Sequence, residues 1–184
     1  MLTSTLLGVL TNRADGVTLR PMCESDWPQV RAIYLEGIAT SQATFETAAP
    51  TSWEVWSQAK LDIGRTVACA PDAAVDLLGW TTLSAVSSRK AYEGVAELTI
   101  YVADRARGRG IGRVLLERLI RDAESAGVWT LQGVIFPENL ASKALHLATG
   151  FREVGRREKI AMLNGVWRDT VLMERRSRLP ALNE

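Results

Sequence analysis

Hydrophobic residues recur along this chain with two periods, and the switches between them divide it into elements. Val17-Thr18-Leu19-Arg20 alternates apolar and polar positions as a half-buried strand does, and Pro21 closes it. From Trp27 through Glu36, Val30, Ile33 and Tyr34 share one helical face; Ser25 or Asp26 is placed to cap it, and Pro28 fits the first turn. Thr40 to Thr51 is polar and small apart from Phe45 and reads as a loop, followed by an expected helix from Trp53 to about Ile63 with Trp53 and Trp56 on its packed face. Thr66–Ala70 and Asp76–Leu83 predict a hairpin joined through Pro71-Asp72, and Glu97-Leu98-Thr99-Ile100-Tyr101-Val102 a buried central strand.

Beyond that strand and a glycine-rich turn, Val114, Leu115, Leu119 and Ile120 fall at helical spacing and continue to Ala123, before Gly127 supplies a stop. Leu131 to Phe136 predicts another strand. Asn139 or Ser142 opens a short helix ending near Gly150, and Phe151–Arg157 with Trp167–Met173 predicts a closing hairpin. Residues 1–16 lack clear periodicity and end in the turn pair Asp15-Gly16, so they are expected to form a flexible arm; 177–184 are expected to form a C-terminal tail. The order β-α-α-β-β-β-α-β-α-β-β predicts one α+β domain over 17–176, with helices flanking a single mixed sheet in three layers.

Composition narrows the reading. A length of 184 residues suits one sizeable core and is short for two domains. The net charge of +1 provides no global field toward nucleic acid or membrane, so the basic character that matters is local. Cys23 and Cys69 match no metal or redox spacing, which implies a reducing compartment and buried or incidental thiols. The apolar run Leu6 to Leu10 is too short to span a bilayer and lacks a basic flank, so a cytoplasmic location is expected.

The local basicity surrounds Arg107-Gly108-Arg109-Gly110-Ile111-Gly112, with Arg105 and Arg113 on either side. A glycine turn between a strand and a helix N-terminus leaves backbone N–H groups unpaired, and the positive end of the helix dipole reinforces them. This is a site for a phosphate-bearing ligand. A Walker loop is excluded because no Gly-Lys-Ser/Thr follows. A dinucleotide fingerprint fails in either frame, with Arg107 at the first glycine or Arg113 at the third.

Arg107-x-x-Gly110-x-Gly112 after a strand, then Asn139 one strand later and Leu145-His146-x-x-x-Gly150-Phe151, resembles the GCN5-related N-acetyltransferase superfamily over residues 17–176. The resemblance implies the acyl-CoA N-acyltransferase fold and acetyl-CoA as co-substrate, with no metal. It implies that Arg107, Gly108, Arg109, Gly110, Ile111, Gly112 and Arg113 grip the pyrophosphate. Ile100, Tyr101 and Val102 would pair with the pantetheine arm after a bulge splays their strand, an N–H near Val102 facing the thioester oxygen. Asn139 and Ser142 would hold the same arm; capping the following helix is the plain structural alternative for Asn139.

Glu97 matches the family's general-base position, against the simpler role of a strand-end salt bridge, with Glu93 as a weaker alternative. His146 stands where many relatives place a tyrosine that protonates the departing thiolate. It is read either as that acid, in its imidazolium form, or as a satisfied core residue, and Tyr101 competes for the acid role.

Arg89-Lys90-Ala91-Tyr92, Ala43-Thr44-Phe45-Glu46-Thr47 and Gly165-Val166-Trp167-Arg168-Asp169 are similar to the phosphinothricin and methionine sulfone/sulfoximine acetyltransferase branch. That similarity implies an amino-acid-like acceptor held by Phe45, Arg89, Tyr92, Glu97 and Trp167, and a homodimer formed near Trp167. Glu46 stands where phosphinothricin enzymes tend to carry a basic residue, which favours a broader amino-acid-analogue specificity. Rival readings are acetylation of a protein N-terminus, lysine or polyamine, a non-catalytic CoA-binding sensor, and nucleic-acid binding through the arginines.

Overall fold

A computed structural model describes residues 12–14, 16–71 and 73–182. Among these, the strands are β1 (Asn12–Ala14), β2 (Val17–Pro21), β3 (Thr66–Ala70), β4 (Ala73–Ala85), β5 (Val95–Val102), β6 (Thr130–Ile135), β7 (Arg152–Leu163) and β8 (Val166–Arg176). The α-helices are α1 (Trp27–Ala39), α2 (Trp53–Ser57), α3 (Ile111–Ser125) and α4 (Leu140–Ala148). The strands form one sheet in the order β1-β2-β3-β4-β5-β6-β8-β7. Only β5–β6 is parallel; every other adjacent pair is antiparallel. The predicted α+β order, with its mixed and mostly antiparallel sheet, is present.

The helices cover both faces. On β4, the Trp80 indole N–H donates to Val30 O of α1 at 3.2 Å, while its neighbour Gly79 faces Leu115 of α3. Consecutive strand residues point to opposite faces, so α1 and α3 lie on opposite sides of the sheet. Below α3, Leu116, Leu119, Ile120 and Ala123 pack with Leu83, Leu98, Leu131 and Met173. Around α1, Val30 and Ile33 pack with Leu19, Val67 and Trp80, as their spacing predicts.

Several boundaries differ from the sequence reading. The expected helix from Trp53 to Ile63 ends at Ser57. Trp53 and Trp56 are held by ring contacts instead, Trp56 lying 5.3 Å from both Trp53 and Trp27, so aromatic packing rather than helical continuation satisfies them. Residues 12–14, assigned to the arm, pair with β2 as an edge strand. The rest of the arm, residues 1–11, lies outside the described residues. The β3–β4 hairpin pairs Ala70 with Ala73 across its turn, Asp72 lying outside the described residues. Pro180–Leu182 in the expected tail forms a 3-10 turn.

Asp26 is the N-cap residue of α1 but makes no side-chain capping bond to that helix. Its carboxylate instead takes both Arg20 guanidinium N–H groups at 2.6 and 2.7 Å and the Cys23 N–H at 2.9 Å. Burial acts to raise its pKa, but these bonds outweigh it and hold the carboxyl below its ordinary value. The pair clamps the end of β2 to the entry of α1.

Candidate active site

β5 and β6 pair over only three residues, Val95–Glu97 against Thr130–Gln132. Past that point each strand follows its outer neighbour. β5 stays in register with β4 as far as Val102, and β6 with β8 as far as Ile135. The two therefore diverge, and Leu98–Val102 is left with an unpaired edge, which must find hydrogen-bond partners elsewhere. The opening arises on the β6 side; no register shift interrupts β4–β5, so the expected bulge is not its cause. A cavity of about 710 Å³ fills the gap, lined by β5, β6, α2, the start of α4 and the loop after α1.

Beyond β5 the chain makes a 3-10 turn at Asp104–Ala106 and then reverses through Gly108 and Gly110, with φ of 72° and 79°. Both lie in the left-handed region, where any side chain is strained. Arg113 and Val114 N–H groups return to Gly110 O, while those of residues 108–112 have no hydrogen-bond partner among the described residues. Space beside Gly108 and Gly110 is open, with no atom of the described residues within 4 Å of where a Cβ would stand. These donors at the N-terminus of α3 form an anion cradle. The arginines contribute less charge than expected, since Arg107 pairs with Asp104, Arg105 with Asp76 and Arg113 with Glu117.

Glu97 is the last β5 residue paired with β6, and its exposed side chain lines the cavity where the edge opens. Tyr101, four residues on, points to the same face. Its ring stacks on Trp80 at 4.9 Å and meets Tyr34 edge-on at 5.0 Å. Burial pushes the phenol well above its ordinary value, so it stays protonated. Ile100 also lines the cavity; Val102 ends the strand and packs near Gly112.

The loop after α1 is tied across the opening. Asn139 donates from Nδ2 to Gln42 O at 3.2 Å, Arg168 donates to Ser41 O at 3.1 Å, and Phe45 meets Phe136 edge-on at 4.8 Å. Asn139 Oδ1 also accepts the Ser142 N–H, so the capping alternative is present and the amide holds the loop.

His146 is 2% exposed. Its Nδ1 lies 2.8 Å from Ser142 O, an acceptor only, so that nitrogen carries the proton. Nε2 is then a bare acceptor without a partner among the described residues, facing β6 at Gly133. Burial lowers the imidazole pKa, so the ring is neutral near pH 7 and not the imidazolium acid that the sequence allowed.

Three expected acceptor-site residues lie elsewhere. Arg89 and Tyr92 are exposed at a 3-10 turn, as is the alternative base Glu93 beside them, and Trp167 is exposed on the β7–β8 hairpin; none lines the cavity. Phe45, Asn139, Ser142 and His146 do line it. Sequence reasoning missed Tyr34, Phe136 and Lys60, and noted Glu46 only as a departure from a relative's loop. Tyr34 and Phe136 carry core-like apolar signals, and Lys60 lies in a turn with no periodicity to mark it.

A sheet opened beside one parallel strand pair, with a glycine cradle at the next helix N-terminus, defines an acyl-CoA-dependent transferase site. Residues 23–151 match the acetyltransferase (GNAT) family, and the chain belongs to that family. It is 35% identical over 162 residues to phosphinothricin N-acetyltransferase of Alcaligenes faecalis, covering 86% of this chain and 81% of the relative. It is 29% identical over 159 residues to L-methionine sulfoximine/L-methionine sulfone acetyltransferase of Pseudomonas paraeruginosa, covering 85% and 92%. The solved phosphinothricin acetyltransferase of Sinorhizobium meliloti in complex with acetyl-CoA superposes with a TM-score of 0.78 at 30% identity, covering 88% of each chain.

The protein is thus an acetyl-CoA-dependent N-acetyltransferase. Its residues fit that co-substrate: the free N–H groups of 108–112 suit a pyrophosphate, and the open β5 edge suits the peptide-like pantetheine arm.

Proposed function

We propose that the protein moves the acetyl group of acetyl-CoA to the primary amine of a small amino-acid-like acceptor, of the methionine sulfone, methionine sulfoximine or phosphinothricin type. Transfer is by direct attack in a ternary complex. The observation that carries this reading is Glu97, placed where β5 and β6 part and exposed to the cavity they enclose. Acetyl-CoA supplies the activated acyl group. Glu97 takes the proton that the attacking amine must lose, directly or through one water. The open edge near Val102 offers N–H to the thioester oxygen. His146, neutral near pH 7, has no imidazolium proton to give and acts as a support, so Tyr101, which lines the cavity, is the donor assigned to the departing sulfur.

The similarity to the named phosphinothricin and methionine sulfoximine/sulfone acetyltransferases supports the acceptor class. Exposed Met162 and Trp167, directly opposite each other on the β7–β8 hairpin, support a homodimer. The cysteine usage of the sequence supports a cytoplasmic location; among the described residues no helix is long and apolar enough to cross a membrane.

A thiol-release assay with acetyl-CoA against methionine sulfone, methionine sulfoximine, phosphinothricin and the common amino acids tests the reading. Turnover with at least one is expected, and silence across the panel refutes the acceptor class. Glu97→Gln lowers kcat by roughly 100-fold or more and leaves acetyl-CoA affinity nearly unchanged; full activity in that variant removes Glu97 as the base.

A further inference from the structure

Three charged side chains line the cavity: Glu46, Glu97 and Lys60. Lys60 is therefore its only cation among the described residues. Its ammonium donates to Ser84 Oγ at 3.1 Å and forms no ion pair among the described residues, which leaves two N–H donors unassigned. Ser84 is the direct β4 partner of Glu97. Paired residues on adjacent strands point the same way and sit about 5 Å apart, so the ammonium is fixed one strand away from the candidate base.

From this juxtaposition we infer that Lys60 binds the α-carboxylate of the acceptor, and that the cavity selects α-amino acids whose side chain carries no negative charge. The inference rests on the amino-acid reading of the acceptor given above. In an α-amino acid the amine and the carboxylate are separated by a single carbon. A base that meets the amine must therefore have a cation within one side-chain length to meet the carboxylate. Glu97 and Lys60 satisfy that requirement across one strand pair, whereas Arg89, expected in this role from the sequence, is exposed outside the cavity.

Glu46, in the loop after α1, also lines the cavity. An α-carboxylate neutralised by Lys60 leaves Glu97 and Glu46 as the remaining charges. A second acidic group on the acceptor then faces a carboxylate with no cation left for it, and like charges in a confined cavity repel. Of the acceptor types proposed above, the neutral sulfone and sulfoximine are compatible with Glu46, whereas the phosphinate of phosphinothricin is disfavoured. Burial pushes the Lys60 pKa down, and Glu97 and Glu46 oppose that shift, so both carboxylates act on this ammonium.

The test is steady-state kinetics on the full chain with L-methionine sulfone and its α-carboxamide. Lys60→Met is expected to raise KM for the free acid by roughly 10- to 100-fold, the scale of one lost charge-assisted hydrogen bond. KM for the carboxamide and for acetyl-CoA stays within about twofold, and Lys60→Arg recovers most of the loss. Equal losses for acid and carboxamide, or no loss, overturn the inference. An unchanged thermal midpoint of the variants excludes misfolding as the cause, and Lys60→Arg keeps the test decisive if Lys60→Met does not fold.

If the wild type acetylates neither compound, the acceptor reading has failed on its own. Calorimetric titration of methionine sulfone into the acetyl-CoA complex then decides the role of Lys60 separately. Binding by wild type that Lys60→Met abolishes supports it, and absence of binding to wild type, or equal binding by both, overturns it.

Discussion

Nε2 of His146 is an enclosed acceptor with no donor among the described residues, and its ring stays neutral because burial disfavours the charged form. The folded pKa is lowered from 6.5, so the unfolded chain binds this proton more readily than the folded one. Linkage then gives stability that is complete above about pH 6.5 and lost as pH falls toward the folded value. Urea midpoints measured from pH 8 to pH 5 are expected to fall on the acid side of 6.5, with His146→Gln flattening that part of the slope. A slope unchanged in the variant places the titration elsewhere. The same position shows how far single residues can be read from sequence. The spacing from Gly150-Phe151 located His146, but nothing in the chain announced that Ser142 O would fix its tautomer. Lys60 was less visible still, because a lone lysine in a turn looks like any solvated one, and only the β4–β5 register brings it beside Glu97.

At the scale of elements, the strand–turn–helix unit from β5 through α3 was the most legible part of the chain. Its signals are local: β-branched and aromatic residues in the strand, glycines where φ must be positive, then helical spacing. Gly110 is the N-cap of α3 at φ 79°, and no atom of the described residues lies within 4 Å of its Cβ position. Gly110→Ala therefore meets no clash in the protein alone and costs about 1 kcal/mol through backbone strain. The added methyl does enter the space offered to the pyrophosphate. The expected outcome is a modest loss of thermal stability with a rise of roughly tenfold or more in the acetyl-CoA Kd by calorimetry. An affinity loss no larger than the loss of stability would remove the cradle as the donor site. Elements whose apolar residues serve tertiary contacts were less legible. The tryptophans of α2 gave a helical signal that their mutual ring packing accounts for, and the charged, exposed β7 offered no alternation, so its continuation to Leu163 was missed.

For the whole molecule, a single mixed sheet was expected from the element sequence and the resemblance, but the place of β8 between β6 and β7 and the divergence of β5 from β6 were not. That divergence depends on β8 holding β6 and β4 holding β5, pairings remote in the chain. The far edge of the sheet has its own consequence. β7 is the edge strand, exposed along nearly its whole length, and its apolar Val154, Ile160 and Met162 face solvent together with Val166 and Trp167 of β8. A register shift between Arg157 and Ala161, and the charged run Arg156-Arg157-Glu158-Lys159, obstruct strand addition along that edge. Association would therefore use the face that presents Met162 and Trp167, which lie opposite each other. Burying a large aromatic and its neighbour contributes a few kcal/mol per subunit, enough to govern a dimer equilibrium. Sedimentation is expected to give a dimer for the wild type, with Trp167→Glu weakening association by roughly 100-fold or more because it places a charge in an apolar contact. Since Trp167 does not line the acetyl-transfer cavity, acetyl-CoA affinity of the monomeric variant is expected to stay close to that of wild type. A wild type that sediments as a monomer, or a Trp167→Glu variant that remains dimeric, would move the interface away from this hairpin.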